Sequence, residues 1–272
     1  MSGPARQPVN PPPLLEGARP TPAPAAERKG WVEQIMGMPV SIHLRGAGVD
    51  RPATHQAVAA AFAVLREMDS IFSTYREDSD LMRLRREEVP MSACSPLLEE
   101  ALHIGQEAEA ATRGAFTTLL PTGEGDLAFD PTGLVKGWAV DRASAPLLEL
   151  ERISFCINAG GDVLVGAHRD LPATGPEAIV WRVGVEDPLD RQRIAHTVTL
   201  VRGAVATSGT AARGAHLYDP TAGEMVRRTG SVTVSGPTLL WADIWATALF
   251  VGTADTRDAF THNAAGYSST VL

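Results

Sequence analysis

The sequence predicts an α+β fold on three observations. Helix-period apolar patterns gather in residues 54–150 and strand patterns in residues 153–235, so the two kinds are segregated rather than strictly alternating. Gly or Pro lies between most of the strand patterns. No internal repeat interrupts this order. At 272 residues, 44% hydrophobic and 21% charged, the chain has a globular composition, enough for one large domain or two small ones.

The elements follow in order. Residues 1–30 hold eight of the twenty prolines and few large apolar residues, which reads as a disordered or extended tail ahead of a domain at 31–272. Glu33 to Leu44 reads as an entry strand interrupted at Met36-Gly37-Met38-Pro39, with Val40, Ile42 and Leu44 inward and His43 solvated. Thr54 to Ile71 is helical, with Val58, Phe62, Leu65 and Phe72 on one face. Asp78-Ser79-Asp80 precedes a short basic helical piece. Ser95-Pro96 starts a second helix by N-cap and first-turn proline, ending before Gly114. Asp130-Pro131-Thr132-Gly133 is a turn that opens a third helix, bent or split at Pro146. Strands are expected at 153–157, 162–165, 179–186, 196–201, 205–208 and 231–235. A helix at 239–251 with Thr238 as its N-cap, a short helix at 256–262 and a terminal strand close the chain.

Bulk properties exclude some functions. A net charge of −8, with no Lys/Arg-rich block, gives no footprint for nucleic acid. No apolar run is long enough for membrane insertion. The start of the chain lacks the apolar core of a signal peptide, so a cytoplasmic location is expected. Cys94 and Cys156 show no metal-ligand spacing, and Cys156, inside Ile153-Ser154-Phe155-Cys156-Ile157, reads as a small core residue.

Several motifs carry chemistry. On the helix Trp241–Phe250, Asp243 and Thr247 stand four residues apart and therefore share a face. Both offer oxygen, which suits a hard cation such as Mg²⁺. Asp243 as a helix N-terminal charge and Thr247 bonded back to the Asp243 carbonyl is the plainer alternative. Asn158-Ala159-Gly160-Gly161-Asp162 reads either as a backbone that approaches an anion or ring closely or as a hairpin turn. It does not fit G-x-G-x-x-G. Ser208, in Ala206-Thr207-Ser208-Gly209-Thr210, lacks the serine-hydrolase pattern and reads as a hydroxyl in a turn near a ligand, or as a plain polar turn. His216 is structural or a general base. Lys136, just past the Asp130 turn, faces phosphate as a point charge or is salt-bridged.

In order and wording these blocks resemble the ApbE family, the FAD:protein FMN transferases. The resemblance runs from Met36-Gly37-Met38-Pro39 through Phe72-Ser73-Thr74-Tyr75-Arg76 to Asp130-Pro131-Thr132-Gly133-Leu134-Val135-Lys136-Gly137-Trp138-Ala139-Val140-Asp141. It continues through Asn158–Asp162, Ala206–Gly209, His216–Gly223 and Ser231–Val234 to Ala242-Asp243-Ile244-Trp245-Ala246-Thr247. It implies a single compact α+β domain with a T-fold-like core of antiparallel sheet. It also implies Mg²⁺-dependent transfer of FMN from FAD to a Ser or Thr hydroxyl of an acceptor protein, with release of AMP. Carried over by position, the metal ligands are Asp243, Thr247 and the Gly133 carbonyl. Met36, Tyr75, Ala115, Phe116, Thr117, Asp130 and Lys136 match FAD-contacting positions. Asn158, Gly160 and Gly161 shape the flavin cleft with Ser208 nearby, and His216 matches the base for the acceptor hydroxyl.

The chain departs from the family pattern in three places. Gly114-Ala115-Phe116-Thr117 is followed within a few residues by Asp130, where the family often has a longer stretch, and Thr117 stands in place of an acidic residue. Ala211 and Ala212 follow Ser208-Gly209 where the family often carries an aromatic and an acidic residue. Two other readings stand beside transfer: hydrolysis of FAD to FMN and AMP, and flavin binding without catalysis.

Overall fold

A computed structural model describes residues 27–122, 126–209, 217–226 and 228–272. The chain opens with a hairpin, β1 (Arg28–Ile35) and β2 (Met38–Gly46), turned by Met36 and Gly37 at φ 54° and 70°. Positive φ at both central residues is what a two-residue type I′ hairpin turn requires. β1 thus begins three residues before the boundary expected at Trp31. On β2, Val40, Ile42 and Leu44 are buried and His43 is exposed, as the alternation predicts.

Helices α1 (Pro52–Phe72), α2 (Asp80–Arg85) and α3 (Pro96–Ala111) follow. The Ser79 and Ser95 hydroxyls accept from Met82 N and Leu97 N and cap α2 and α3. A short pair, β3 (Leu119–Pro121) and β4 (Leu127–Phe129), which the sequence did not announce, leads into α4 (Thr132–Ala143). The helix splits at Ser144, and α5 (Ala145–Leu148) carries Pro146 in its first turn, where the missing N–H costs nothing.

The strands β5 (Ile153–Ala159), β6 (Asp162–Ala167), β7 (Trp181–Glu186), β8 (Ile194–Leu200) and β9 (Gly203–Gly209) come next. A small pair, β10 (Tyr218–Asp219) and β11 (Glu224–Met225), precedes β12 (Ser231–Gly236). Helices α6 (Leu239–Val251) and α7 (Ala254–Asn263) and strand β13 (Ser268–Val271) close the chain.

Seven strands form one antiparallel sheet in the order β1-β2-β5-β6-β9-β12-β13. Its two faces are covered differently. Ile42, Leu44, Phe155, Ile157, Leu164, Ala204, Ala206, Val232 and Val234 share one buried cluster with the helices. Cys156, Val163 and Val165 point the other way, against Trp181 of the β7–β8 hairpin. The Trp181 ring donates through Nε1 to Ser154 Oγ at 2.8 Å, and the Arg45 guanidinium stacks 3.9 Å from the ring centroid. Cys156 is therefore a core residue, as its apolar neighbours predict. Among the described residues no helix is long and apolar enough to cross a membrane.

Candidate functional site

One end of the sheet gathers the chemistry. The β1–β2 turn, the Gly160-Gly161 turn between β5 and β6, the last residues of β9 and the first of β12 all lie there, as the strand register requires. Gly160 and Gly161 take φ 61° and 102°, a conformation that a side chain would strain. Asn158 Oδ1 accepts from Gly161 N at 3.0 Å and holds the turn. The hairpin reading of this motif is the local geometry. It also leaves Asp162 as the first residue of β6, with its side chain on the helix-covered face that Leu164 shares.

Helix α6 lies over β9 and β12, and β9 presents small residues to it. Ala204, Ala206 and Ser208 line one face of β9 at the strand period of two. Ser208 Oγ lies 2.9 Å from Thr247 Oγ1. Thr247 therefore points across to the strand. Asp243, one turn earlier, is 4% exposed, on a helix whose Ala242, Ile244 and Trp245 are buried as well.

Helix α4 runs antiparallel to α6. Asp141 takes the start of α6 in both carboxylate oxygens, accepting from Leu239 N at 2.9 Å and Leu240 N at 2.8 Å. Burial raises the Asp141 carboxyl above the ordinary carboxylate range, and the two N–H donors oppose that rise. Thr238 stands at the N-cap position, but its hydroxyl bonds the Tyr267 hydroxyl at 2.8 Å, so Asp141 caps the helix in its place. Gly137 lets the helices approach, since a Cβ there would meet Leu239 O at 2.8 Å. The next residue back, Lys136, reaches both buried carboxylates of the site. Its ammonium pairs with Asp162 Oδ2 and lies 3.3 Å from Asp243 Oδ2. Asp162 is fixed from its other side, where Oδ1 accepts from Thr207 N at 2.9 Å. The salt-bridged reading of Lys136 is thus the observed one, and its partners belong to the site.

Asp130 begins the same helix. Its Oδ1 accepts from Thr132 N at 3.0 Å and Thr132 Oγ1 at 2.5 Å, and its Oδ2 pairs with Arg85 Nη2 at 2.8 Å. Ala115 and Phe116 are buried, with the Phe116 ring 3.5 Å from where a Cβ on Gly133 would stand. Thr117 Oγ1 accepts from Leu119 N at 3.1 Å. Met36 sits in the β1–β2 turn, partly buried against the core. Tyr75, just past α1, is 93% exposed, so no described residue covers its ring. His216 lies outside the described residues.

The structure thus joins Lys136 to Asp243, and Ser208 to Thr247, across two helices and a strand. It adds Asp162, Asp141 and Arg85, which the sequence reading did not single out as site residues. Asp162 was visible inside the Gly-Gly motif. Arg85 and Asp141 act over 45 and 98 residues of chain, and no local pattern announces such pairs. Asp243, Thr247 and Ser208 offer oxygen ligands, which suit a hard cation.

Fold and site together define an α+β protein with an oxygen-lined, lysine-bridged site at one end of an antiparallel sheet. Comparisons with known proteins place it further. The ApbE family model matches residues 36–122 and 118–268, and the chain belongs to that family. The two matched pieces meet at the short connection before Asp130. A protein of Salmonella typhimurium named FAD:protein FMN transferase is 28% identical over 241 residues, covering 67% of each chain. The Escherichia coli K12 protein of the same name is 32% identical over 136 residues, covering 46% of this chain and 37% of its own. The matched part thus spans between about a third and two thirds of these relatives' length. The ApbE protein of Thermotoga maritima has the same fold, with a TM-score of 0.71 at 20% identity over 90% of this chain and 94% of that one. The apo flavinyl transferase ApbE of Pseudomonas stutzeri scores 0.70 at 23% identity over 91% and 95%.

Proposed function

We propose that this chain is a flavin transferase. It moves the FMN half of FAD onto a Ser or Thr hydroxyl of an acceptor protein in a Mg²⁺-dependent reaction, and AMP leaves. The observation that carries this reading is the Lys136–Asp162–Asp243 cluster beside the Ser208–Thr247 pair, in a chain of the ApbE family. Asp243, Thr247 and the Gly133 carbonyl would hold Mg²⁺. The antiparallel run of α4 and α6 supports this set, because it continues from Lys136 and Asp243 toward Gly133 and Thr247. Bound there, the cation supplies charge neutralisation at the pyrophosphate.

The remaining work falls to the chain's own groups. Lys136 is a positive charge held by Asp162 and Asp243, and from that ion pair it would offset the charge of the bound phosphates. The Gly160-Gly161 turn and Met36 border the flavin, and Asp130 and the Ala115–Thr117 segment border FAD with Tyr75. His216 takes the proton of the attacking hydroxyl. Attack by a weak oxygen nucleophile on a pyrophosphate depends on alignment and charge neutralisation, which a rigid sheet end with buried charges provides.

The test is chromatography of FAD incubated with the protein and an acceptor domain, with Mg²⁺ or with EDTA. AMP should form with Mg²⁺ and not with EDTA. Absence of AMP in both arms contradicts the proposal.

A further inference from the structure

Arg85 clasps the entry to α4 at two points. Its Nη2 lies 2.8 Å from Asp130 Oδ2, and its Nε donates to Phe129 O at 2.9 Å. The planar fork of a guanidinium holds a carboxylate and a neighbouring carbonyl in one fixed geometry, which the flexible stem of a lysine does not impose. Both partners are only partly accessible, Arg85 at 22% and Asp130 at 17%, so solvent screens the pair less than a surface pair. Asp130 spends its other oxygen on Thr132 N and Thr132 Oγ1. The Arg85–Asp130–Thr132 chain therefore runs from α2 to the first turn of α4, the turn that carries Gly133.

The connection before Asp130 adds to this. Among the described residues, the loop side of the α4 entry holds the short pair β3–β4, and Phe129, the residue Arg85 grips, is the last of β4. Arg85 ties that end to α2. Its charge has a second effect. A carboxylate beside a substrate with two phosphates repels it, and a paired guanidinium cancels that repulsion.

We propose that Arg85 is a positioning residue for FAD: it fixes Asp130 and the α4 entry and neutralises the Asp130 charge, and so sets FAD affinity rather than the chemical step. The proposal rests on the flavin-transfer reading above. Its test is FAD titration by flavin fluorescence, with steady-state AMP release, on the full chain and on Arg85→Gln, Arg85→Lys, Asp130→Asn and the Arg85→Gln/Asp130→Asn double variant.

Arg85→Gln should weaken FAD binding about tenfold, the size of one charge-assisted hydrogen bond. KM should rise by the same factor and kcat should change less than about threefold. Arg85→Lys should bind FAD more tightly than Arg85→Gln. The double variant should bind no worse than the weaker single variant, because both changes break one unit. Unchanged FAD affinity in Arg85→Gln overturns the proposal, and so does a fall in kcat alone or additive losses in the double variant. If the unaltered chain itself fails to bind FAD, the flavin-transfer reading falls, an outcome distinct from any of these.

Discussion

Lys136 Nζ lies 3.3 Å from Asp243 Oδ2 and pairs on its other side with Asp162, so one ammonium joins the carboxylate of α6 to that of β6. Both carboxylates are nearly inaccessible, Asp162 at 2% and Asp243 at 4%. Burying such groups costs several kcal/mol each unless cations compensate. The shared Lys136 ammonium supplies part of that compensation.

Asp243→Ala should therefore abolish Mg²⁺-dependent turnover while Lys136 remains held by Asp162 and the fold survives. A magnesium titration of AMP release, with circular dichroism as the control, checks this. Turnover with an unaltered magnesium response sinks the metal assignment.

The cap supplied by Asp141 has a separate energetic signature. Removing it in Asp141→Ala leaves the first N–H groups of α6 without their acceptor, and loss of an N-cap costs about 1–2 kcal/mol. For a domain of this size that is a fall in Tm of roughly 2–8 °C. Thr238→Ala, which removes no cap, should cost less. Equal losses in the two variants would show that Thr238 and not Asp141 sets the helix start.

Stability should depend on Cys156 at alkaline pH. Burial pushes its thiol up to about 11 from an ordinary 9.0, with the nearby Arg45 charge opposing the shift. The raised value means the folded state disfavours the thiolate. The contribution is complete below the unfolded thiol's pKa and is lost as pH rises through about 11. Two units correspond to about 2–3 kcal/mol. Urea unfolding of the protein and of Cys156→Ala at pH 8 and pH 11.5 should show the gap between them shifting against the unaltered protein by that order. A gap that stays constant contradicts the burial of the thiol.

His216→Ala should slow transfer by about 10²–10⁴-fold, the usual worth of a general base, with FAD affinity nearly unchanged. Rapid-mixing turnover and an FAD titration separate the two. Collapse of FAD binding instead assigns His216 a structural role.

Much of the fold was legible because its local rules are strong. The alternation in Val40, Ile42 and Leu44 and the serine before α3 each express a period or a cap that the neighbouring residues fix. The pairs β3–β4 and β10–β11 escaped because two- and three-residue strands carry no period. The placement of β7–β8 on the back of the sheet also escaped. Its alternation is visible, but the partner of Trp181 is Ser154, 27 residues away. The site divides in the same way. Asp243 and Thr247 share a helix face by spacing alone, whereas the Ser208, Lys136 and Arg85 contacts need the folded chain.

The most direct measurement is the intact mass of an acceptor domain carrying a known flavinylation sequence, after incubation with the protein, FAD and Mg²⁺, beside an EDTA control. A mass gain of one FMN on the acceptor, absent with EDTA, is the expected result. An unmodified acceptor with free FMN and AMP would assign hydrolysis in place of transfer, and an unmodified acceptor with intact FAD would contradict both.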